Sequence, residues 1–176
     1  VSLNGLWKSN YAVASELIQH YPHLPQGYVI LGKEYLMAGL KEEAKRPLEY
    51  AAALGSNDPR VYYLLGICHL SSAEIPEKYF KKALALEPEY FAPYDLLGQI
   101  ALSRKDYTEA LFYLQRSLEL EHGWPGHYYS LLQAYFGLDR PQEAEALLEK
   151  ARHNLKDEQD QIRRLEELYR KLERMD

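Results

Sequence analysis

Apolar residues along this chain recur at intervals of three and four, with polar residues in the positions between them. The spacing i, i+3, i+4 and i+7 holds over successive windows of about a dozen residues, and no window sustains a strict alternation. One face of an α-helix produces this spacing, whereas a half-buried strand would alternate. Pro125 and Pro141 lie where a helix would begin, a position that suits a residue without a backbone N–H. The pattern predicts an all-α chain of short helices.

A short pattern of residues returns four times. Its first half reads aromatic-x2-Leu-Gly-x2-aromatic, with variations, and the steps between the leading tyrosines are 34, 32 and 34 residues. Its second half reads small-x3-large-x2-small, as in Ala110, Leu114 and Ser117. Because each half has helical spacing, each copy predicts an antiparallel pair of helices. The leading tyrosines, which we expect to wedge between repeats, are Tyr28, Tyr62, Tyr94 and Tyr128.

These copies resemble the tetratricopeptide repeat, a 34-residue helix pair with the signature W-x2-L-G-x2-Y, A-x3-F and P. Tyr replaces the leading Trp throughout. The copies span 25–58, 59–90, 91–124 and 125–158, while 1–24 resembles a half-repeat and 159–176 a capping helix. The resemblance implies one domain: a right-handed superhelical solenoid of antiparallel helix pairs, with its concave surface lined by the leading helices. Since the chain starts at Val1, midway through a repeat, we expect it to be part of a longer protein.

In this family the concave surface holds peptides, at positions that follow the leading aromatic residue and the glycine. The resemblance assigns this role to Val29, Tyr63, Asp95 and Tyr129 in the first position and to Lys33, Ile67, Gln99 and Gln133 in the second. Tyrosine can bury its ring against a ligand while its hydroxyl forms a hydrogen bond, and glutamine can pair with a peptide backbone. The lysine and asparagine pattern of repeat proteins that clamp chaperone tails is absent, so we do not expect that partner.

Charge narrows the range of partners further. Lys+Arg number 21 and Asp+Glu 26, which gives a net charge of −5 without basic blocks. Nucleic-acid binding needs clustered lysine and arginine, so we expect a protein or peptide partner instead. No apolar run approaches the roughly 20 residues that span a bilayer, so membrane insertion is not expected. The given chain shows no signal peptide, and a cytoplasmic location is the favoured expectation.

Candidate catalytic and metal-binding residues are few. The single cysteine, Cys68, excludes an internal disulfide and a multi-cysteine metal site, and its place within a helix predicts a buried thiol. The chain has no phosphate-binding loop and no nucleophile elbow. His122 and His127 flank a helix break at Trp124 without an acidic partner set, so we expect no metal site. We therefore expect no catalytic residue and no cofactor.

The leading hypothesis is a non-catalytic interaction scaffold that binds a peptide segment of a partner protein in the concave groove. One alternative is self-assembly, in which an exposed repeat end or the terminal helix joins copies into a homo-oligomer. Another is an accessory domain of a larger enzyme or secretion complex, which would touch polysaccharide through Trp124, Tyr128 and Tyr129.

Three local departures from the repeat carry expectations about packing. Pro47 should kink the helix that contains it, because proline removes a backbone hydrogen bond. Leu132, in place of a small residue, should shift the packing of the last pair. The second copy is two residues short around 71–76, so its turn should be tight.

Overall fold

Ten α-helices and no strand are present in residues 3–71 and 75–174, the part of the chain that the computed structural model describes; side chains are described for 10–71 and 76–174. The helices are α1 (Leu3–His20), α2 (Gln26–Met37), α3 (Lys41–Ala53), α4 (Pro59–Cys68), α5 (Ile75–Leu86), α6 (Phe91–Ser103), α7 (Tyr107–Leu120), α8 (Pro125–Gly137), α9 (Pro141–Asn154) and α10 (Gln159–Glu173). The all-α prediction is confirmed. Pro125 and Pro141 each stand in the first turn of a helix, as predicted.

The chain divides into two compact units, Val1–Pro88 and Glu89–Asp176. In the first unit each helix from α1 to α5 packs on the next, and α2 also packs on α4. In the second unit α6 packs on α7 and α8, α7 on α8, and α8 on α9, while α10 packs on both α8 and α9. The leading helices of consecutive pairs are therefore neighbours within each unit. The predicted class of stacked helix pairs is confirmed within each unit, whereas the single domain and its repeat bounds stay predictions.

A glycine lies where the two helices of a pair approach most closely. A Cβ atom added to Gly66 would stand 2.3 Å from Cε1 of Phe80, far inside the 3.4 Å at which ordinary van der Waals contact begins. The same approach occurs, at 2.5 Å, between Gly32 and Leu48 and between Gly98 and Leu114. In the fourth pair Leu132 holds this position and is completely buried. Its effect on the packing of α8 against α9 stays a prediction.

Three of the four leading tyrosines donate a hydrogen bond to the turn that precedes their repeat. The hydroxyl donates to the backbone carbonyl six residues earlier, from Tyr28 to Pro22 (3.2 Å), Tyr62 to Ser56 (3.0 Å) and Tyr128 to His122 (3.1 Å). Tyr62 and Tyr128 are 4% and 0% exposed, so their rings belong to the core, whereas Tyr28 and Tyr94 are only partly buried. At Tyr62 and Tyr128 the phenol therefore fills a core position and satisfies a backbone acceptor at once.

Two of the local expectations fall on α3 and on the second repeat. Pro47 is buried, and α3 continues through it without interruption from Lys41 to Ala53. The proline is therefore accommodated within the helix, and the predicted kink stays a prediction. The shortened turn of the second repeat is expected around 71–76, and residues 72–74 of it lie outside the described residues.

Candidate functional site

None of the eight residues assigned to the peptide-binding surface is buried in the core. Lys33, Gln99 and Gln133 are exposed, and the other five are partly buried: Val29, Tyr63, Ile67, Asp95 and Tyr129. By contrast, the leading tyrosines that immediately precede Tyr63 and Tyr129 are almost fully buried. Because consecutive helical positions point in different directions, the register that buries each leading tyrosine turns the next side chain toward the helix surface.

In the first unit, four of the predicted residues lie on the neighbouring helices α2 and α4. Val29 and Tyr63 pack against the edge of the core, and the Tyr63 ring lies 6.1 Å from the Phe80 ring. Lys33 is exposed, whereas the adjacent Glu34 turns inward and accepts a 2.8 Å hydrogen bond from Asn10 of α1. This part of the surface therefore combines an aliphatic side chain, an aromatic ring and an ammonium group.

In the second unit, the predicted residues of α6 and α8 have different surroundings. The Gln99 amide donates a 2.7 Å hydrogen bond to Oδ2 of Asp95. The Tyr129 hydroxyl lies 3.3 Å from the backbone oxygen of Gln161 and 3.4 Å from its Oε1, which draws it toward α10. Gln133 is exposed. The chain's own terminal helix thus engages one predicted partner-binding side chain, whereas Asp95 and Gln99 form a carboxylate–amide pair on α6.

Behind Asp95 lies a buried polar cluster that the sequence analysis did not identify. His127 of α8 and Ser117 of α7 are both 0% exposed, and Nε2 of His127 is 3.0 Å from Oγ of Ser117. The same Nε2 is 3.8 Å from Oδ1 of Asp95, while Nδ1 is 3.0 Å from the backbone oxygen of Glu121. Ser117, at a position where the repeat pattern has a small residue, is a sequence signal for a buried polar partner. The partner, His127, comes from the next repeat and could not be identified from that signal.

Burial and charge act on this cluster in opposite directions. Burial raises the pKa of Asp95, and the nearby His127 and the Gln99 amide partly offset that rise. Burial lowers the pKa of His127, and Asp95 and the Glu121 carbonyl partly offset that fall. Oδ1 of Asp95 has no hydrogen-bond donor among the described residues. The Asp95 carboxyl group therefore lies beside a histidine whose charged form is disfavoured by burial.

The cluster contains a serine, a histidine and an aspartate, but it lacks the geometry of a hydrolytic triad. In a triad the carboxylate orients the imidazole through one ring nitrogen and the nucleophile uses the other. Here Asp95 and Ser117 both approach Nε2, and a backbone carbonyl takes Nδ1. Ser117 and His127 are also closed to solvent, so no substrate carbonyl reaches the serine. The arrangement is suited to holding helices together.

Other candidate groups are structural or isolated. Cys68 is buried, as predicted, and burial raises the pKa of its thiol to about 11. Residues 3–71 and 75–174 contain no group of three metal-ligating side chains, and none of their helices is long and apolar enough to cross a bilayer. Trp124 is 57% exposed but Tyr128 is fully buried, so these two do not form a shared aromatic platform for a sugar.

Comparison with known proteins supports the resemblance over part of the chain. The family model for the tetratricopeptide repeat matches residues 92–121 and 128–151, which cover most of the helices of the third and fourth predicted copies. No curated protein matches the chain in sequence. The resemblance drawn from the tyrosine and glycine spacing is confirmed.

Solved structures share the fold at low sequence identity. MamA matches with a TM-score of 0.77 and 21% identity, over 89% of this chain and 93% of that one. A MamA fragment from Desulfovibrio magneticus RS-1 matches with a TM-score of 0.67 and 25% identity, over 85% and 93%. YrrB, described as a TPR protein with an unusual peptide-binding site, matches with a TM-score of 0.70 and 19% identity, over 90% and 83%. These similarities show the fold.

Proposed function

We propose that this chain, in which residues 92–121 and 128–151 match the tetratricopeptide repeat, is a non-catalytic scaffold that binds a peptide segment of a partner protein along its leading helices. The fold and the family support the general role of a protein–protein interaction scaffold. The observation that carries the specific role is the exposure pattern: all eight predicted residues lie outside the core, and six of them directly follow a buried residue. A surface that repeats in register along stacked helices suits an extended partner segment.

The chemistry of the two units supports a segment of mixed character. The first unit offers Tyr63, Ile67 and Val29 for apolar contact, with the ammonium of Lys33 beside them. The second unit offers the Asp95–Gln99 pair and the exposed Gln133. Aromatic side chains that pair apolar area with a hydroxyl are common energetic centres of interfaces. Tyr63 is therefore the residue on which we expect binding to depend most.

The test compares two tyrosine truncations in the first unit. Tyr63→Ala removes the proposed contact from the leading helix α4, and Tyr50→Ala removes a 49%-exposed tyrosine from the second helix α3. Both variants are used as bait against source lysate, and the affinity of each protein that wild type captures is then measured with purified components. We expect at least about a tenfold loss for Tyr63→Ala, typical of an interface hot spot.

Tyr50→Ala is expected to retain the same partner at wild-type affinity, and circular dichroism checks that both variants keep their helical content. Equal affinity of the two variants, or a greater loss for Tyr50→Ala, would contradict the assignment to the leading helices. A partner lost by neither variant would move the binding surface away from the first unit.

Self-assembly is a second candidate, which the exposure of apolar side chains on α1 favours. Tyr11 is 40% exposed and Val13 is 45% exposed. A second copy of the chain covering them would bury this apolar area. If so, the solution mass should rise with concentration, and Tyr11→Ser with Val13→Ser should abolish the rise. A constant monomer mass would remove this candidate.

A further inference from the structure

The buried cluster of Asp95, Ser117 and His127 joins three helices of the second unit around one ring nitrogen. Ser117 Oγ lies 3.0 Å from Nε2 of His127 and also 3.2 Å from the backbone oxygen of Phe91. The Phe91 ring meets the imidazole edge-on, with 6.0 Å between centroids. The ionisable groups that face His127 are Asp95 from α6 and Glu121 from the end of α7. The cluster thus couples α6, α7 and α8.

Counting protons shows which form of His127 fits these contacts. Nδ1 faces a carbonyl oxygen, which only accepts, so Nδ1 carries a proton. The Ser117 hydroxyl has one proton and two acceptors within reach, the Phe91 carbonyl and Nε2. Both contacts are hydrogen bonds at once only if Nε2 donates to Oγ while the hydroxyl donates to Phe91. All the contacts are satisfied together only by the imidazolium, with Asp95 as its counter-ion.

The neutral imidazole leaves the same cluster with a different set of hydrogen bonds. The Ser117 hydroxyl then donates to Nε2 and releases the Phe91 carbonyl. Oδ1 of Asp95, 3.8 Å away, faces a lone pair in place of a positive charge. A buried carboxylate oxygen without a donor is costly, so Asp95 gains from turning toward Gln99 and solvent. Burial lowers the pKa of His127 and so favours this neutral form, while the neighbouring Asp95 carboxylate favours the protonated one.

We propose that one proton on Nε2 of His127 is a switch that is read at the protein surface through Asp95 and Gln99. With the proton present, the imidazolium of His127 neutralises the Asp95 carboxylate from the buried side and attracts it inward. Without it, the positive charge of His127 is lost and the pair has a net charge of −1, so the Asp95 carboxylate is no longer neutralised. That charge favours a partner segment with lysine or arginine at this point. The inference rests on the proposed function only in treating Asp95 and Gln99 as partner-facing residues.

The switch is testable on the whole chain without any partner. The ring signals of His127 and the side-chain amide signals of Gln99 are followed by NMR across pH, and His127→Gln identifies the histidine signal. We expect Gln99 to move with the same midpoint as His127, because Oδ2 of Asp95 accepts its amide proton. In Asp95→Asn, the His127 midpoint should fall by about 1–3 pH units, since an opposite charge is lost. Asp157→Asn, at an exposed site, should change neither signal.

The proposal fails if Gln99 does not follow His127 in wild type, or if His127 shows no titration before the chain unfolds in acid. It also fails if Asp95→Asn and wild type share one His127 midpoint. The wild-type titration decides the matter even if Asp95→Asn does not fold. Since no partner is involved, a negative result leaves the Tyr63 experiment untouched, and a negative Tyr63 result leaves the titration untouched.

Discussion

The hydrogen bonds from the leading tyrosines to the preceding turns predict that a single hydroxyl group contributes measurably to the free energy of unfolding. The substitution is Tyr62→Phe, which keeps the ring in its core position and removes only the donor to the Ser56 carbonyl. The ring is 4% exposed, and its hydrogen bond lies in a buried environment. Tyr28→Phe is the matched comparison, because the equivalent hydrogen bond to Pro22 is exposed to solvent.

The expected magnitude follows from burial. Removing a donor so that a buried acceptor is left unsatisfied costs about 1–3 kcal/mol, whereas water replaces the donor at an exposed carbonyl and the net cost is about 0.5 kcal/mol. Tyr62→Phe should therefore lower the free energy of unfolding by about 1–2 kcal/mol more than Tyr28→Phe. In a chain of this length, 1 kcal/mol lowers the melting temperature by about 2–4 °C.

Urea and thermal unfolding of wild type and both variants, followed by circular dichroism, measure the difference. If wild type and both variants share one m value, the dependence of the unfolding free energy on urea concentration, then the variants differ in stability and not in compactness. Equal destabilisation by Tyr28→Phe and Tyr62→Phe would refute the reasoning, since burial would then not govern the cost. A Tyr62→Phe variant as stable as wild type would show that the hydrogen bond from Tyr62 to the Ser56 carbonyl contributes nothing to stability.

Three further substitutions test the packing, a helix cap and the buried charge. Gly66→Ala should destabilise by about 2 kcal/mol, because overpacking against the buried Phe80 ring costs about 3 kcal/mol and the helix gains about 1 kcal/mol from alanine; thermal unfolding measures it, and a more stable variant would contradict the 2.3 Å approach. Asp58→Ala should cost about 1 kcal/mol, because Asp58 accepts from the Arg60 N–H at the start of α4, and Asp58→Asn should retain most of that stability in urea unfolding. Asp95→Asn should stabilise the chain at neutral pH. Burial raises the pKa of Asp95, so the wild-type advantage is complete below its unfolded pKa, near 4, and is lost as pH rises through the folded value; a pH series of melting temperatures in which the two proteins differ equally at pH 4 and 7 would refute this.

The helix pairs could be predicted from sequence because they depend on local, repeated signals. The apolar spacing, the glycine at three of the four close approaches and the prolines at helix starts are local features of the sequence. The repeat pattern alone predicts a close approach at Gly66, even before Phe80 is known to be the residue that packs there. The repeat period therefore predicted the helix pairs, because their formation depends on residues close together in the sequence.

The chemistry of the second unit could not be predicted in this way, because it depends on contacts between repeats. The register of Asp95 predicts a place on the binding surface, yet its pKa depends on its burial and on His127 from the next repeat. Tyr129 occupies the same register as Tyr63, but α10 approaches its hydroxyl. Equivalent positions in the repeat thus acquire different surroundings, and only the folded chain shows which side chains meet.

The hydrogen bonds from the leading tyrosines also change how this chain responds to consensus engineering. Moving a natural sequence toward its family consensus commonly adds stability, and the consensus at the leading position is tryptophan. Tryptophan has a single donor on the indole ring, placed differently from a phenol hydroxyl, and it is larger. At Tyr62 and Tyr128 it would have to fit a completed core and would lose the bond to the preceding turn. Consensus design should therefore spare these two positions, because at each of them the departure from the family pattern supplies a hydrogen bond that the family residue cannot make.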